Sequence, residues 1–260
     1  MHTKLFLSTF LSKVVLLAIL TVPMLCHGAG LTIQPGAGVS INGGGINLGC
    51  TDLVINGDLN LGSGYISETA DIILSGGSLD AGTGTVILSG DWTNNGTFTS
   101  SASQVNIVDG CSSPSSLISG DNNFYSFSAS SATGKELQLT AASKQVFANA
   151  LSLQGATGMP LLIRSTSPGA QAFFELMPTA AQNIAYVDVQ DNNALAGSLL
   201  APGSPAVSNS ADSGNNLNWF QRPFSNIPIP TLSLPALLLL ILAMLLVAFR
   251  SLPIFINPDR

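Results

Sequence analysis

The residues that most catalytic sites depend on are nearly missing from this chain. Both histidines, His2 and His27, lie within positions 1–28, a stretch with the features of a removable leader. Without them, a Ser-His-Asp triad, a Cys-His pair and a histidine metal site are excluded. The Gly-rich runs also lack the strand–loop–helix setting of a phosphate-binding loop. We therefore expect no cofactor and interpret the chain as a non-enzyme.

Carboxylates are the remaining chemical option. Some β-helix proteins cleave polysaccharides with paired aspartates, and Asp188 and Asp191 are the best pair here, with Asp212 as a third. Because side chains three residues apart on a strand point to opposite faces, turn capping is the favoured interpretation. Two alternatives stay open: a carbohydrate-active enzyme, and calcium ligation by Asp188 and Asp191 with help from Asn192 and Asn193.

Cysteine offers a redox interpretation. After removal of the leader, which holds Cys26, the chain keeps an even pair, Cys50 and Cys111. In an oxidising compartment such a pair predicts a disulfide. The closed loop would contribute about 4 kcal/mol in the chain-entropy model. Two separately buried thiols are the alternative.

Charge is scarce and mostly negative. Only 8% of the residues are charged, against a usual quarter. Between Ala29 and Phe220 three basic residues face thirteen acidic ones, a net charge of −10. A surface of that sign repels phosphate backbones, so nucleic acid is excluded as a partner.

A short phrase repeats along the chain: apolar, any residue, apolar, small polar, Gly. It occurs at 39–43, 53–57, 72–76, 86–90 and 151–155. Two apolar side chains two positions apart share one strand face, and the Gly permits a tight turn. We expect the phrases to stack in register, with Leu53, Ile72 and Val86 pointing inward. Their uneven intervals suit stacked short strands but are too irregular for a strict repeat family.

Two all-β folds fit this pattern. A parallel β-helix, or β-solenoid, stacks short strands into coils with polar residues at the corners. A β-sandwich uses the same alternation in antiparallel hairpins. No stretch before Phe220 has sustained helical periodicity. The sequence favours the β-helix, with the sandwich as the alternative.

The N-terminus has the three-part pattern of a secretory signal. Lys4 and Lys13 precede an apolar run at 14–22, and small residues flank a cut between Gly28 and Ala29. We therefore predict a signal peptide over 1–28 and a β-rich extracytoplasmic domain over 29–220. The alternative, an N-terminal membrane anchor, would need a longer apolar run.

The composition changes after Phe220. Residues 221–231 contain three prolines and predict an extended linker. Residues 232–249 follow without a charge, a pattern that predicts one C-terminal transmembrane helix. Arg250 comes next and favours a short cytoplasmic tail at 250–260.

The linker ends in Ile229-Pro230-Thr231-Leu232-Ser233, and an apolar helix and then Arg250 follow. This order resembles the IPTL-CTERM sorting domain. That domain is related in layout to the PEP-CTERM signals of Gram-negative bacteria. The resemblance covers under a tenth of the chain. It implies that export machinery, the inner membrane and an exosortase-like sorting protease are partners, with passage to the cell surface or secretion. A permanently anchored single-span protein is the alternative.

Residues 185–194 and 212–219 are similar to the last coils of adhesin-like β-helix proteins from bacterial surfaces. That resemblance implies a fold more than an activity. The sequence as a whole therefore predicts an exported structural, matrix or adhesin-like protein, with an extracellular polysaccharide as a candidate partner.

Overall fold

The computed structural model describes residues 30–220 and 233–250. It contains twenty strands, one 3-10 turn at Pro205–Ser208 and one helix, α1, at Leu234–Arg250. The strands are β1 (Leu31–Ile33), β2 (Gly38–Ser40), β3 (Gly45–Ile55), β4 (Asp58–Asn60), β5 (Tyr65–Leu74), β6 (Ser78–Asp80), β7 (Thr85–Leu88), β8 (Trp92–Asn94), β9 (Thr97–Thr99), β10 (Gln104–Ile107), β11 (Ser115–Ser119), β12 (Asn122–Ser130), β13 (Glu136–Leu139), β14 (Lys144–Gln154), β15 (Leu161–Ser165), β16 (Ala172–Leu176), β17 (Ala181–Ala185), β18 (Val187–Gln190), β19 (Asn192–Asn193) and β20 (Ala211–Gly214).

The strands form a parallel β-solenoid of about eight coils. Every pairing between named strands is parallel, with each strand beside its equivalent one coil away. The prediction of a parallel β-helix is therefore confirmed, and the antiparallel β-sandwich alternative is wrong. Helix is confined to one short 3-10 turn within residues 30–220, in agreement with the expected strand-and-turn content.

Each coil has three sides, which the chain visits in the order A, B, C. Side A contains β1, the ends of β3 and β5, then β8, β11, β13, β15, β18 and β20. Side B contains β2, β4, β6 and β9, then the starts of β12 and β14, followed by β16 and β19. Side C contains the starts of β3 and β5, then β7 and β10, the ends of β12 and β14, and β17.

The interior is a continuous apolar core. Leu53, Ile72 and Val86 are fully buried, as predicted. A row of aromatic rings runs through the later coils, with successive ring centroids 4.9–6.1 Å apart, formed by Phe98, Trp92, Phe124, Phe127, Phe147, Phe174, Trp219 and Phe220. Such rings pack best in these edge-on and tilted arrangements, which explains why the row can be continuous.

The repeated phrases do not all stack on one another. Those at Leu53 and Ile72 pair in register on side A, but the phrase at Val39 lies on side B and those at Val86 and Leu151 lie on side C.

The uneven intervals between the phrases follow from this three-sided path. The step from Val39 to Leu53 moves the chain two sides along, whereas the step from Leu53 to Ile72 completes a coil. The long interval from Val86 to Leu151 is three coils, because Val86, Val105, Phe127 and Leu151 are successive register partners.

The prediction of a transmembrane helix at 232–249 is wrong. Helix α1 starts after Ser233, whose carbonyl accepts a hydrogen bond from the Leu237 N–H (3.0 Å). It has 17 residues, which span roughly 26 Å against a hydrocarbon core of about 30 Å. Within 30–220 and 233–250, no helix combines the length and apolar character needed to cross a membrane.

Candidate binding surface

Side C presents an outer surface that is almost free of charged side chains. Its strand segments contain no Asp, Lys or Arg, and their single Glu is Glu68, at an irregularity of β5 where the chain turns toward side A. Alternate residues, such as Val105, Phe127 and Leu151, point into the core and are buried. The residues between them face outward in a register column, formed by Ile87, Asn106, Ser128, Ser152 and Asn183. Strand alternation therefore separates an apolar inner face from an outer face of mostly hydroxyls and amides.

Hydrogen bonds hold this outer face in place. The Asn106 Oδ1 accepts from the Gln104 side-chain amide (2.8 Å) and from the Ser128 hydroxyl. On the next coil the Asn149 side-chain amide donates to the Ser126 Oγ (3.0 Å). Strands spaced about 4.8 Å apart give the seven segments of side C a length of roughly 29 Å. The result is an array of neutral donors and acceptors, part of which is held by hydrogen bonds between neighbouring side chains.

An exposed aromatic ring and a depression flank the array. Tyr65 is 51% exposed, and its ring lies against Gly45, where a side chain would collide with it. At the opposite edge, Asp109, Ser131 and Gln154 help to line a depression of about 350 Å³. The pKa of Asp109 lies below its usual value: burial raises it, but the hydrogen bonds from Ser131, Ala132 and Thr133 and the charge of Lys135 outweigh that effect.

The two ion pairs of the described residues lie on the other sides. On side B the Lys144 Nζ lies 3.0 Å from Glu175. On side A the Arg164 guanidinium lies 2.9 Å from Asp188, and it also donates to the Asp188 carbonyl (2.6 Å). Paired charges are therefore segregated away from the strands of side C.

Three aspartates form a column at the corner before side A. The Asp52 carboxylate accepts from the Asp71 N–H (3.2 Å), and the Asp71 carboxylate accepts from the Asp91 N–H (2.8 Å). Asp91 continues the pattern with the Leu117 N–H (2.8 Å). Burial raises the pKa of Asp71; the Asp91 N–H opposes this, while the charges of Asp91 and Asp52 add to it.

Lys135 is a buried cation that sequence reasoning did not single out. It is 1% exposed, and its Nζ donates to the carbonyls of Ser89 (2.6 Å) and Ser113 (2.7 Å) and to the Ser116 hydroxyl (3.3 Å). Burial lowers its pKa, although Asp109 and Asp91 favour the charged form. Lys135 thus ties together backbone from three successive coils. No sequence motif marks it, since its neighbours resemble those of a solvated lysine.

The predicted aspartates take separate structural roles. Asp188 pairs with Arg164 and accepts from the Ser213 hydroxyl. Asp191 is 3% exposed and accepts from the Gly169 N–H (3.0 Å) and the Asn215 amide (2.6 Å). Asp212 accepts from the Gly214 N–H (3.0 Å), two residues on, which is the turn-capping contact expected for it.

No three Asp, Glu, Cys or His side chains gather into a metal-ligating group within the described ranges. The Asp191 carboxylate already accepts hydrogen bonds from Gly169 and Asn215. Asn192 is fully buried, and its Oδ1 accepts from the Trp219 indole N–H (2.6 Å). The side chains considered for calcium are therefore separated: Asp188 pairs with Arg164 on side A, whereas Asp191 and Asn192 are buried and bonded to other groups.

A disulfide joins Cys50 and Cys111, with their Cα atoms 5.2 Å apart. The two cysteines are 61 residues apart in the chain and belong to corners between sides C and A. The neighbouring residues Thr51, Thr69, Leu88 and Ile107 are successive register partners, so the bond links corner segments that are three coils apart along the chain. Because stacked strands lie about 4.8 Å apart, the Cα separation of 5.2 Å means that the two corner segments bend toward each other.

The sorting and cleavage residues fall largely outside the described chain. Gly28 and Ala29, and Ile229, Pro230, Thr231 and Leu232, lie outside it. Ser233 precedes α1, and Arg250 is the last residue of that helix. The predicted tail at 250–260 otherwise lies outside the described residues.

Comparison of the chain with protein-family models, with curated proteins and with solved structures finds no match.

Proposed function

We propose that this protein is an exported, non-enzymatic surface or secreted protein of the adhesin-like type, which holds neutral polysaccharide on side C. The observation that supports this most is the nearly uncharged outer face of side C, with its register column of Asn106, Ser128 and Ser152. Sugar hydroxyls are both donors and acceptors, so they can satisfy such an array without ion pairs.

The ligand class follows from charge and shape. A net charge of −10 between Ala29 and Phe220 repels polyanions, whether nucleic acid or acidic glycans. An array that extends over seven coils suits an extended chain better than a small molecule, which needs a concave pocket. Tyr65, exposed at one end, offers a ring face for a sugar to pack against.

Co-sedimentation tests the ligand class. The protein is mixed with insoluble neutral polysaccharides, cellulose and β-1,3-glucan, and with an insoluble cross-linked polygalacturonate as the acidic counterpart. Binding to at least one neutral polymer should persist between 50 mM and 500 mM salt, because no ion pair contributes. Binding to the acidic polymer alone, or loss of neutral binding in high salt, would argue against the proposal.

Export and sorting form the second half of the proposal, and they are supported by the sequence. The leader at 1–28 should be cut between Gly28 and Ala29, and Ile229-Pro230-Thr231-Leu232 should act as a processing motif. In the native host, the Pro230→Ala, Thr231→Ala variant should accumulate as a longer, unprocessed product. Equal sizes of the wild type and the variant would remove the sorting motif from the proposal but leave the binding surface standing.

A further inference from the structure

The two ends of the solenoid differ. At the C-terminal end Trp219 and Phe220 are 4% and 5% exposed and lie over a fully buried Leu200. Backbone bonds join this cap, with the Phe220 N–H donating to the Leu200 carbonyl (3.0 Å) and the Leu200 N–H donating to the Asn218 carbonyl (3.1 Å). The chain itself therefore closes this end of the core.

The N-terminal end is open in the described part of the chain. We call it the N-terminal rim and define it by β1, β2 and residues 45–47 at the start of β3. Each of these segments pairs only toward the next coil, with β3, β4 and β5 respectively. Within residues 30–220, their outer edges thus present N–H and C=O groups without a strand partner on all three sides of one coil.

The rim also exposes core positions. Leu31, Val39 and Ile46 are only partly buried. Their register partners one coil on are Leu53, Leu59 and Ile66, which are 0%, 1% and 0% exposed. The first layer of the core is therefore half covered.

Charge, the usual protection of a strand edge, is missing. Residues 30–51 contain no Asp, Glu, Lys or Arg, and Asp52 is the first charged residue of the solenoid. Exposed edges without charges are templates for pairing with another chain. The cut proposed above between Gly28 and Ala29 would place the rim at the N-terminus of the mature chain.

From this geometry we infer that the rim binds the rim of a second copy of this chain, head to head. A single added strand could pair with one side only, whereas three edges around one coil require a partner with the same three-sided end. At the C-terminal end Trp219 and Phe220 already cover the core, so the rim of a second copy is the better match. A two-fold axis perpendicular to the solenoid would pair one side with itself and the other two sides with each other, all antiparallel, and would bury Leu31, Val39 and Ile46 in the shared interface.

The test measures the mass of the secreted chain by light scattering and sedimentation, after N-terminal sequencing has located the cut. The wild type should be a dimer. Val39→Lys, which places an inward charge on the rim, should weaken dimerisation at least tenfold. The control is Val207→Lys at the C-terminal end, where Val207 is 73% exposed, and it should dimerise like the wild type. Both variants have the same C-terminal segment as the wild type, so any association through it is common to them.

Hydrogen exchange makes the result independent of whether Val39→Lys folds. In the wild type, amide protection in β1 and β2 should rise with protein concentration. A monomer at all concentrations, end-to-end polymers, or a monomer whose retained leader protects the rim would each overturn the inference. None of these outcomes bears on polysaccharide binding by side C.

Discussion

At the scale of single residues, the solenoid depends on a few polar side chains that lie between coils. At the corners, Lys135 donates to backbone carbonyls of neighbouring coils, and the aspartate column accepts from backbone N–H groups. Their sequence context gives no sign of this, because a corner residue becomes buried only when a later coil covers it. Asp212, by contrast, bonds within its own turn, and sequence could predict that role.

Replacing Lys135 by Met should lower the free energy of unfolding by about 2–3 kcal/mol, since the buried carbonyls of Ser89 and Ser113 lose their donor. Denaturant unfolding measures the change. The matched control is Lys144→Met, which removes an exposed ion pair with Glu175 and should change stability by less than about 1 kcal/mol. Equal effects of the two substitutions would contradict the structural role of Lys135.

Replacing Asp71 by Asn should maintain or raise stability at pH 7. The folded state raises the pKa of Asp71 above 3.8, so it binds the proton more tightly than the unfolded chain does. Stability contributed by this group is therefore lost as pH rises through the folded pKa. Asn stays neutral and its Oδ1 can still accept from the Asp91 N–H. Denaturant midpoints should favour the variant most at pH 7 and least below pH 4; the reverse order would contradict this account.

At the scale of elements, the alternation within each phrase was sufficient to predict strands and their inward residues. It could not assign the phrases to sides, because that needs the coil length, which varies here. The register step from Phe127 to Leu151 is longer than the step from Val86 to Val105. The polar array of side C was also not visible, since its members become neighbours only through that register.

The disulfide between Cys50 and Cys111 is an element-scale constraint that links corner segments three coils apart along the chain. Changing both cysteines to Ser should lower the free energy of unfolding by about 4 kcal/mol, as the chain-entropy model gives for a loop of 61 residues. Reductant should destabilise the wild type similarly and leave the double variant unchanged. Two alkylatable thiols in the non-reduced, exported protein would contradict the bond.

At the scale of the whole molecule, the chain separates apolar, charged and neutral polar side chains. The interior takes the apolar residues, sides A and B hold the two described ion pairs, and side C is left mostly with hydroxyls and amides. The repeated phrases predicted a β protein and the N-terminal pattern predicted export, but the predicted transmembrane helix was wrong. The uncharged run at 232–249 predicts a transmembrane helix, whereas the observed helix is 17 residues long and begins at Leu234.

The most direct test of the polysaccharide-binding surface compares two pairs of glutamate substitutions. Ser128→Glu with Ser152→Glu alters register neighbours on side C, and Thr93→Glu with Ser119→Glu alters register neighbours on side A. All four positions lie on strands and are partly buried, and both pairs add the same charge. Affinity for the insoluble neutral polysaccharide that the wild type binds is then measured by depletion. We predict at least a tenfold loss of affinity for the side C pair, because a bound sugar would desolvate the new carboxylates without neutralising them. The side A pair should lose less than twofold in affinity. Equal losses for the two pairs, or no loss for the side C pair, would contradict a binding surface on side C.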